Sequence, residues 1–204
     1  MNQRPTENLL LSLKTDVDFA ERTLYITGGI DEEVAQKAMK GLRALEATVG
    51  DIRIVLNSNG GEELQGYAIY DAICMCKNRV VIEGYGEVQS IAAIILQAGD
   101  VRRLAYHAEF MIHHGVVGTT AGKYGQVEAD AIVDTVATVK RNNKRYYRVL
   151  SLASGQPYDL IEDFCREEKE FTATEAVRFC FADEIIQPVK KKWAQPKTTK
   201  GKKK

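Results

Sequence analysis

Four short stretches of this 204-residue chain hold residues whose types and spacing could do chemistry. In GYGEVQSIAAIILQAG, Gly84 to Gly99, Ser90 stands between a polar turn and an apolar run. A serine there can cap a buried helix, because its oxygen satisfies orphan N–H groups. It can also be a nucleophile at a strand-to-helix turn, provided a base near neutral pKa takes its proton. In LNSNGGE, Gly60 and Gly61 directly follow a strand-like run. Glycine allows positive φ and close backbone approach, so their N–H groups can face an anion or a carbonyl oxygen. The pair can equally be a turn that simply needs glycine. The chain has three histidines, His107, His113 and His114, and the last two close the apolar run EFMIHHG. Strand alternation would send them to opposite faces, one toward a site. Either is a natural base for a serine. An acid that orients the histidine would come from IEDFCREEKEF, which offers Glu162, Asp163, Glu167, Glu168 and Glu170. Spacing alone does not choose among them.

The elements that must position these residues follow from periodicity. RTLYITG, Arg22 to Gly28, is β-branched and aromatic and reads as a strand. Asp31 starts a helix with Val34, Ala38, Leu42 and Leu45 at helical spacing. DIRIVLN is a strand, and after the Gly-Gly turn a helix is expected from Glu63 to Cys76, with Leu64, Ala68, Ala72 and Met75 on one face. RVVIEGYG is a third strand, and Ser90 begins a third, mostly buried helix. VRRLA and AEFMIHH are short strands. A long charged helix from Gly125 to Ala153 is of the kind that projects or packs on a second chain. TATE, Thr172 to Glu175, is a capping box opening a last helix, and DEIIQ is a final strand. Strands alternating with helices on short links predict an α/β architecture.

Composition narrows the function classes. The tail from Val189 to Lys204 holds eight lysines and no acid; removing them from the chain's 28 basic residues leaves 20 against 28 acidic, a net of −8. A body this acidic disfavours nucleic-acid binding, and the tail reads as a disordered, solubilising end. The run of three leucines near the start is too short for a signal core or a membrane span. Cys74, Cys76, Cys165 and Cys180 lack metal-ligand spacing and are expected to be buried, reduced thiols of a cytosolic protein.

Taken in order, these segments resemble the proteolytic subunit of the Clp protease family from about Arg22 to Gln187. LNSNGGE…AIYDAI is similar to that family's Gly-Gly turn and following helix, and GEVQSIAAIILQAG to its G-x-x-S segment. FMIHH is similar to its M-I-H segment, GQVEADAIVDTVATVKRNNKRYYRVLSLASGQ to its handle helix, and EFTATEAVRFCFADEI to its closing motif. Each motif is weak alone; five in the right order are specific. The resemblance implies the ClpP/crotonase-type α/β fold, a repeated β-β-α superhelix with a protruding handle helix. Residues 1–21 would be a pore-facing segment, 22–188 the peptidase domain and 189–204 the lysine-rich tail. Ser90 would be the nucleophile, His113 the base, and the Gly61 and Ile91 N–H groups the oxyanion hole. No cofactor or metal is implied.

The chain departs from the family pattern around the triad. The usual aspartate before the closing Phe is missing, and Glu168, three residues before Phe171, is the preferred substitute. Glu87 and Gln89 stand near the serine, His114-Gly115 replaces Gln-Pro, and about four extra residues lie between His113 and Gly125. Such departures resemble a specialised or virus-encoded member, which would work in the host cytoplasm. The expected function is a serine endopeptidase cutting unfolded or tethered polypeptides inside heptamer-like rings, stacked as a tetradecamer and fed by an AAA+ unfoldase. The alternative is a catalytically impaired structural subunit of such a ring. An enoyl-CoA hydratase-like enzyme shares the fold, but would need carboxylates rather than a Ser-His pair.

Overall fold

The computed structural model describes residues 15–115 and 129–187, without the side chains of 129–134. Strand β1 (Val17–Asp18) turns back on β2 (Thr23–Thr27), and helix α1 (Glu32–Glu46) leads to β3 (Ile52–Ser58). Helix α2 (Glu63–Cys74), strand β4 (Val80–Gln89), helix α3 (Ile91–Leu96), and strands β5 (Val101–Ala105) and β6 (Glu109–Ile112) follow. Then come α4 (Ala129–Ser154), α5 (Tyr158–Arg166), β7 (Lys169–Thr172), α6 (Ala173–Arg178) and β8 (Glu184–Ile186). The fold is α/β, as the alternation of strands and helices predicts. Residues 1–14, the extra segment after Gly115, the expected helix start at Gly125 and the lysine tail lie outside the described residues.

Among the described residues the strands form one mixed eight-stranded sheet along the path β1-β2-β3-β4-β5-β8. Only β1 runs antiparallel on that path. Strand β4, ten residues long, belongs to two neighbourhoods. Val81 to Gly84 pair with β5, whereas Glu87 to Gln89 pair in parallel with β6. Gly86, at φ 57, stands between the two halves. Strand β6 then pairs antiparallel with β7. This division brings the chemistry together. Gln89 lies opposite Met111 in register. Ser90 is one residue past Gln89 and His113 two past Met111, so adjacent parallel strands release both at the same end.

Alternation buries one side of β3: Ile52, Ile54 and Leu56 are inaccessible, with Arg53, Val55 and Asn57 between them. Helix α1 begins where Asp31 accepts a hydrogen bond from the Val34 N–H. Its Ala38, Leu42 and Leu45 are buried. The Thr172–Glu175 capping box forms in both directions and starts α6. Strand β6 is held by aromatic packing, with Phe110 stacked 5.1 Å from Phe181 and 6.1 Å from Phe171. Fully burying each such side chain contributes about 1.5–3 kcal/mol. The far edge is tied by Arg102, whose guanidinium meets both Asp183 oxygens, Gln97 Oε1 and the Ala153 carbonyl. Helix α4 buries Tyr146, Tyr147 and Leu150 against the body, while Val136 to Thr138 are exposed.

Two expectations are corrected. The buried side of α2 is Gly66, Tyr67, Ile69 and Ile73. Leu64 and Met75 are 69% and 81% exposed. The helix is apolar on more than one side, so spacing fits two faces and packing against the neighbouring helices α1 and α3 selects the other one. Of the four cysteines only Cys165 is buried; Cys74 and Cys180 are exposed and Cys76 is half-buried. All four are free thiols.

Candidate active site

Ser90 holds a conformation that a capping serine does not need. Its φ is 55° and ψ −126°, and its side chain makes no cap hydrogen bond to α3. A non-glycine residue there carries about 1–3 kcal/mol of strain and persists only where its surroundings fix it. They do. The Ser90 N–H donates to the Met111 carbonyl at 3.0 Å. The Ser90 carbonyl accepts from the Ala93 N–H at 3.0 Å and from the Tyr146 hydroxyl at 2.9 Å. The hydroxyl is thus turned away from the helix it begins, and lies 2.7 Å from His113 Nε2. The helix-cap reading is corrected: Ser90 starts α3 through its backbone, and its side chain is free for another partner.

The same fastening aims the neighbouring N–H. Ser90 C=O and Ile91 N–H share one rigid peptide plane and point oppositely. Pinning the carbonyl to Tyr146 therefore fixes the Ile91 N–H at the α3 start, where amides lack helical partners. Burial pushes the Tyr146 hydroxyl well above its usual pKa, so it remains a donor. Gly61 is set by a different device. Ile30 forms a parallel bridge with it. In that bridge Ile30 N–H donates to the Gly60 carbonyl at 2.8 Å, and Glu62 N–H donates to the Ile30 carbonyl at 2.7 Å. The bonds use the residues flanking Gly61, so its own N–H faces away from Ile30, and Gly61 lines the cavity beside Ser90. Gly61 has φ 148, and a Cβ there would lie 2.2 Å from the Ile30 oxygen. At Gly60, φ 101, a Cβ would lie 2.6 Å from the Ser90 Cβ. The glycine pair is more than a turn: it lets a backbone N–H approach the serine.

His113 is half-buried at the end of β6. Burial, the largest influence, pulls its pKa below the ordinary value. The Glu168 charge pushes it up, the neighbouring His114 down and the His114 backbone up again. Burial thus favours the neutral ring that a general base needs. The two histidines lie beyond the last strand residue, Ile112, so strand alternation does not place them. The His114 N–H donates to the Cys165 carbonyl at 3.2 Å, which docks this turn on α5.

The acids divide by position. Glu162 and Asp163 pair with Arg166. Glu167 and Glu170 are exposed. Glu168 is also exposed and has φ 50, at the turn into β7. Among the described residues no hydrogen bond joins it to His113, and it acts on the ring through charge. Glu87 is exposed and its N–H is held by Asn57 Oδ1. Neither Glu87 nor Gln89 lines the cavity at Ser90.

That cavity has a volume of about 240 Å³ and is lined by Gly61, Glu63, Ser90, Ile91, His113 and residues of α4. Sequence reasoning missed three of its parts. Asn143 lines it and accepts the Gly115 N–H at 2.8 Å through Oδ1. Tyr146 lines it and holds the Ser90 carbonyl. Glu63, the first residue of α2, supplies a carboxylate. The one signal for α4 in the sequence is the adjacent Tyr146-Tyr147 pair in an otherwise charged helix. The group has the makings of acyl transfer: a serine oxygen on an imidazole, with Gly61 and Ile91 lining the same cavity.

No helix among the described residues is long and apolar enough to cross a membrane. The profile of the Clp protease family matches residues 13–189. The chain is 33% identical over 184 residues to the ATP-dependent Clp protease proteolytic subunit 3 of Rhizobium johnstonii, covering 89% of this chain and 92% of the relative. It is 31% identical over 172 residues to proteolytic subunit 2 of Thermobifida fusca, with 81% of each covered. Against proteolytic subunit 1 of Mycobacterium tuberculosis the identity is 30% over 174 residues, 82% of each.

Proposed function

The chain belongs to the Clp protease family, and we propose that it is a serine endopeptidase that cuts unfolded or tethered polypeptides within a ring of its own copies. The observation that carries this reading is the 2.7 Å contact between Ser90 Oγ and His113 Nε2 at a strained, multiply fastened turn. Ser90 Oγ attacks the scissile carbonyl while His113 Nε2 takes its proton. The carbonyl π pair moves onto oxygen, facing the Gly61 and Ile91 N–H groups. Each such donor is worth about 2.7–4 kcal/mol of transition-state stabilisation. The tetrahedral species collapses as His113 gives the proton to the leaving amine. Water then attacks the acyl-serine, with His113 again taking a proton and returning it to Ser90. Glu168 favours the imidazolium by charge.

An endopeptidase that cuts unfolded chains endangers its surroundings unless it is sequestered. We assign residues 22–188 to the peptidase domain, with heptamer-like rings stacked in pairs and an AAA+ unfoldase as feeder. The relatives are named ATP-dependent, which supports such a partner. Work in the cytoplasm fits the free cysteines. One observation favours a second reading, a structural subunit of impaired activity: among the described residues no hydrogen bond joins Glu168 to His113. The test is degradation of an unfolded protein by the large species from gel filtration, beside Ser90→Ala. Peptide release that vanishes in the variant is the expected result. Intact substrate with both proteins, from a well-formed ring, would favour the structural subunit.

A further inference from the structure

The cavity beside Ser90 contains a carboxylate that the acyl-transfer chemistry does not use. Glu63 lines it, with its side chain 31% exposed. Two residues of α4 hold it there: Asn142 Nδ2 donates to Oε2 at 2.9 Å, and Arg145 Nη2 approaches Oε1 at 3.4 Å. Arg145 does not line the cavity. Its guanidinium lies 3.8 Å above the Tyr67 ring, which draws it to the back of the carboxylate. A carboxylate offers about four acceptor sites, and these contacts use two. Glu63 lines the cavity together with Gly61, Ser90 and Ile91, so a substrate side chain seated in that cavity meets the carboxylate. At about 240 Å³ this space suits one side chain rather than a whole ligand.

We propose that Glu63 makes this cavity a subsite for a basic side chain, so that cleavage follows Lys or Arg; the inference rests on the peptidase reading above. An ammonium or guanidinium completes the open acceptor sites with charge-assisted bonds. An apolar side chain strips water from the carboxylate and returns nothing. Such a site discriminates chiefly by rejecting what leaves its polar group unpaired. Arg145 moderates the preference, because it already offsets part of the charge. The two residues therefore have opposite effects when neutralised.

The test uses the full chain and two kinds of probe. A small fluorophosphonate, with no side chain for the cavity, reports whether Ser90 is activated. Peptidyl diphenyl phosphonates that differ only in a terminal Lys-like or Leu-like side chain report the subsite, read as rates of adduct formation at Ser90. The Lys probe should react about tenfold or more faster than the Leu probe. Glu63→Gln should bring the ratio close to one, Glu63→Leu should invert it, and Arg145→Gln should raise it. If the small probe labels Ser90 while the Leu probe matches or beats the Lys probe, the subsite is refuted and the peptidase stands. The subsite is equally refuted if neither peptidyl probe reacts, or if Glu63→Leu leaves the ratio unmoved. A folded chain that takes not even the small probe overturns the peptidase reading and the subsite with it.

Discussion

Replacing Glu168 with Gln should slow acylation of Ser90 by less than about tenfold, far from the loss expected of an acid that grips the ring. The carboxylate is exposed and reaches His113 by charge, with no hydrogen bond between them among the described residues. Exposed charge pairs are worth about 0.2–1 kcal/mol. At about 1.4 kcal/mol per tenfold, that is a factor of roughly 1.5 to 5. An acid hydrogen-bonded to the ring, by contrast, is worth about 10⁴ in rate. The assay is the rate of fluorophosphonate inactivation against pH for both proteins. The imidazole must be neutral to take the serine proton, and burial has lowered its pKa below the ordinary value. The rate therefore rises with pH through that lowered pKa and is flat above it. Glu168 pushes the pKa up, so its removal should move the rise to lower pH. A plateau lowered by about 10⁴ with the rise unmoved would refute this reasoning. It would mean that the carboxylate turns in and fixes the imidazole tautomer.

Three further perturbations test the geometry. Tyr146→Phe deletes the hydroxyl that pins the Ser90 carbonyl at 2.9 Å. Losing a hydrogen bond worth about 0.5–1.5 kcal/mol should lower kcat about two- to tenfold with KM little changed, read on a peptide substrate. Gly61→Ala places a Cβ 2.2 Å from the Ile30 oxygen at φ 148. The bridge to Ile30 must open and the donor swing away, so the labelling rate should fall by about 10² or more. Arg102→Ala takes a side chain that is only 12% exposed away from Asp183 and from Gln97 Oε1, leaving Asp183 the backbone N–H of residue 102. A fully buried broken pair costs about 3–5 kcal/mol, and with Asp183 itself 39% exposed the loss should be about 2–3 kcal/mol in urea unfolding. Burial raises the Asp183 pKa, but the Arg102 hydrogen bonds and charge outweigh it and hold the carboxylate below its ordinary value. That stability is present above about pH 4 and should fade as pH drops through the lowered pKa, a dependence weakened in the variant, where only the backbone N–H of residue 102 still donates to Asp183.

The order of strands and helices was legible because each element carries its own signal. Asp31 and the Thr172–Glu175 box mark helix starts by local hydrogen bonds. Ile52, Ile54 and Leu56 alternate against exposed or half-exposed neighbours. Ser90, His113, Gly61 and Ile91 were singled out, and the fold brings all four to one cavity. What was not legible depends on register and distance. No local pattern says that β4 divides at Gly86 between two partners, yet that division aligns Gln89 with Met111. The buried face of α2 is not legible because Leu64 and Met75 are as apolar as the residues packed against the neighbouring helices. Tyr146 and Asn143 come from a helix more than 50 residues beyond Ser90 in sequence, and only packing brings their side chains there. Glu63 had no motif at all; its meaning comes from the cavity it enters.

The central claim is that Ser90 is an activated nucleophile. The most direct test is mass spectrometry of the assembled full-length chain after fluorophosphonate treatment, beside Ser90→Ala and His113→Ala. An activated Ser90 should carry one adduct per chain, absent from Ser90→Ala and formed far more slowly in His113→Ala. No adduct on a folded, assembled chain would contradict it, and so would equal labelling of wild type and Ser90→Ala.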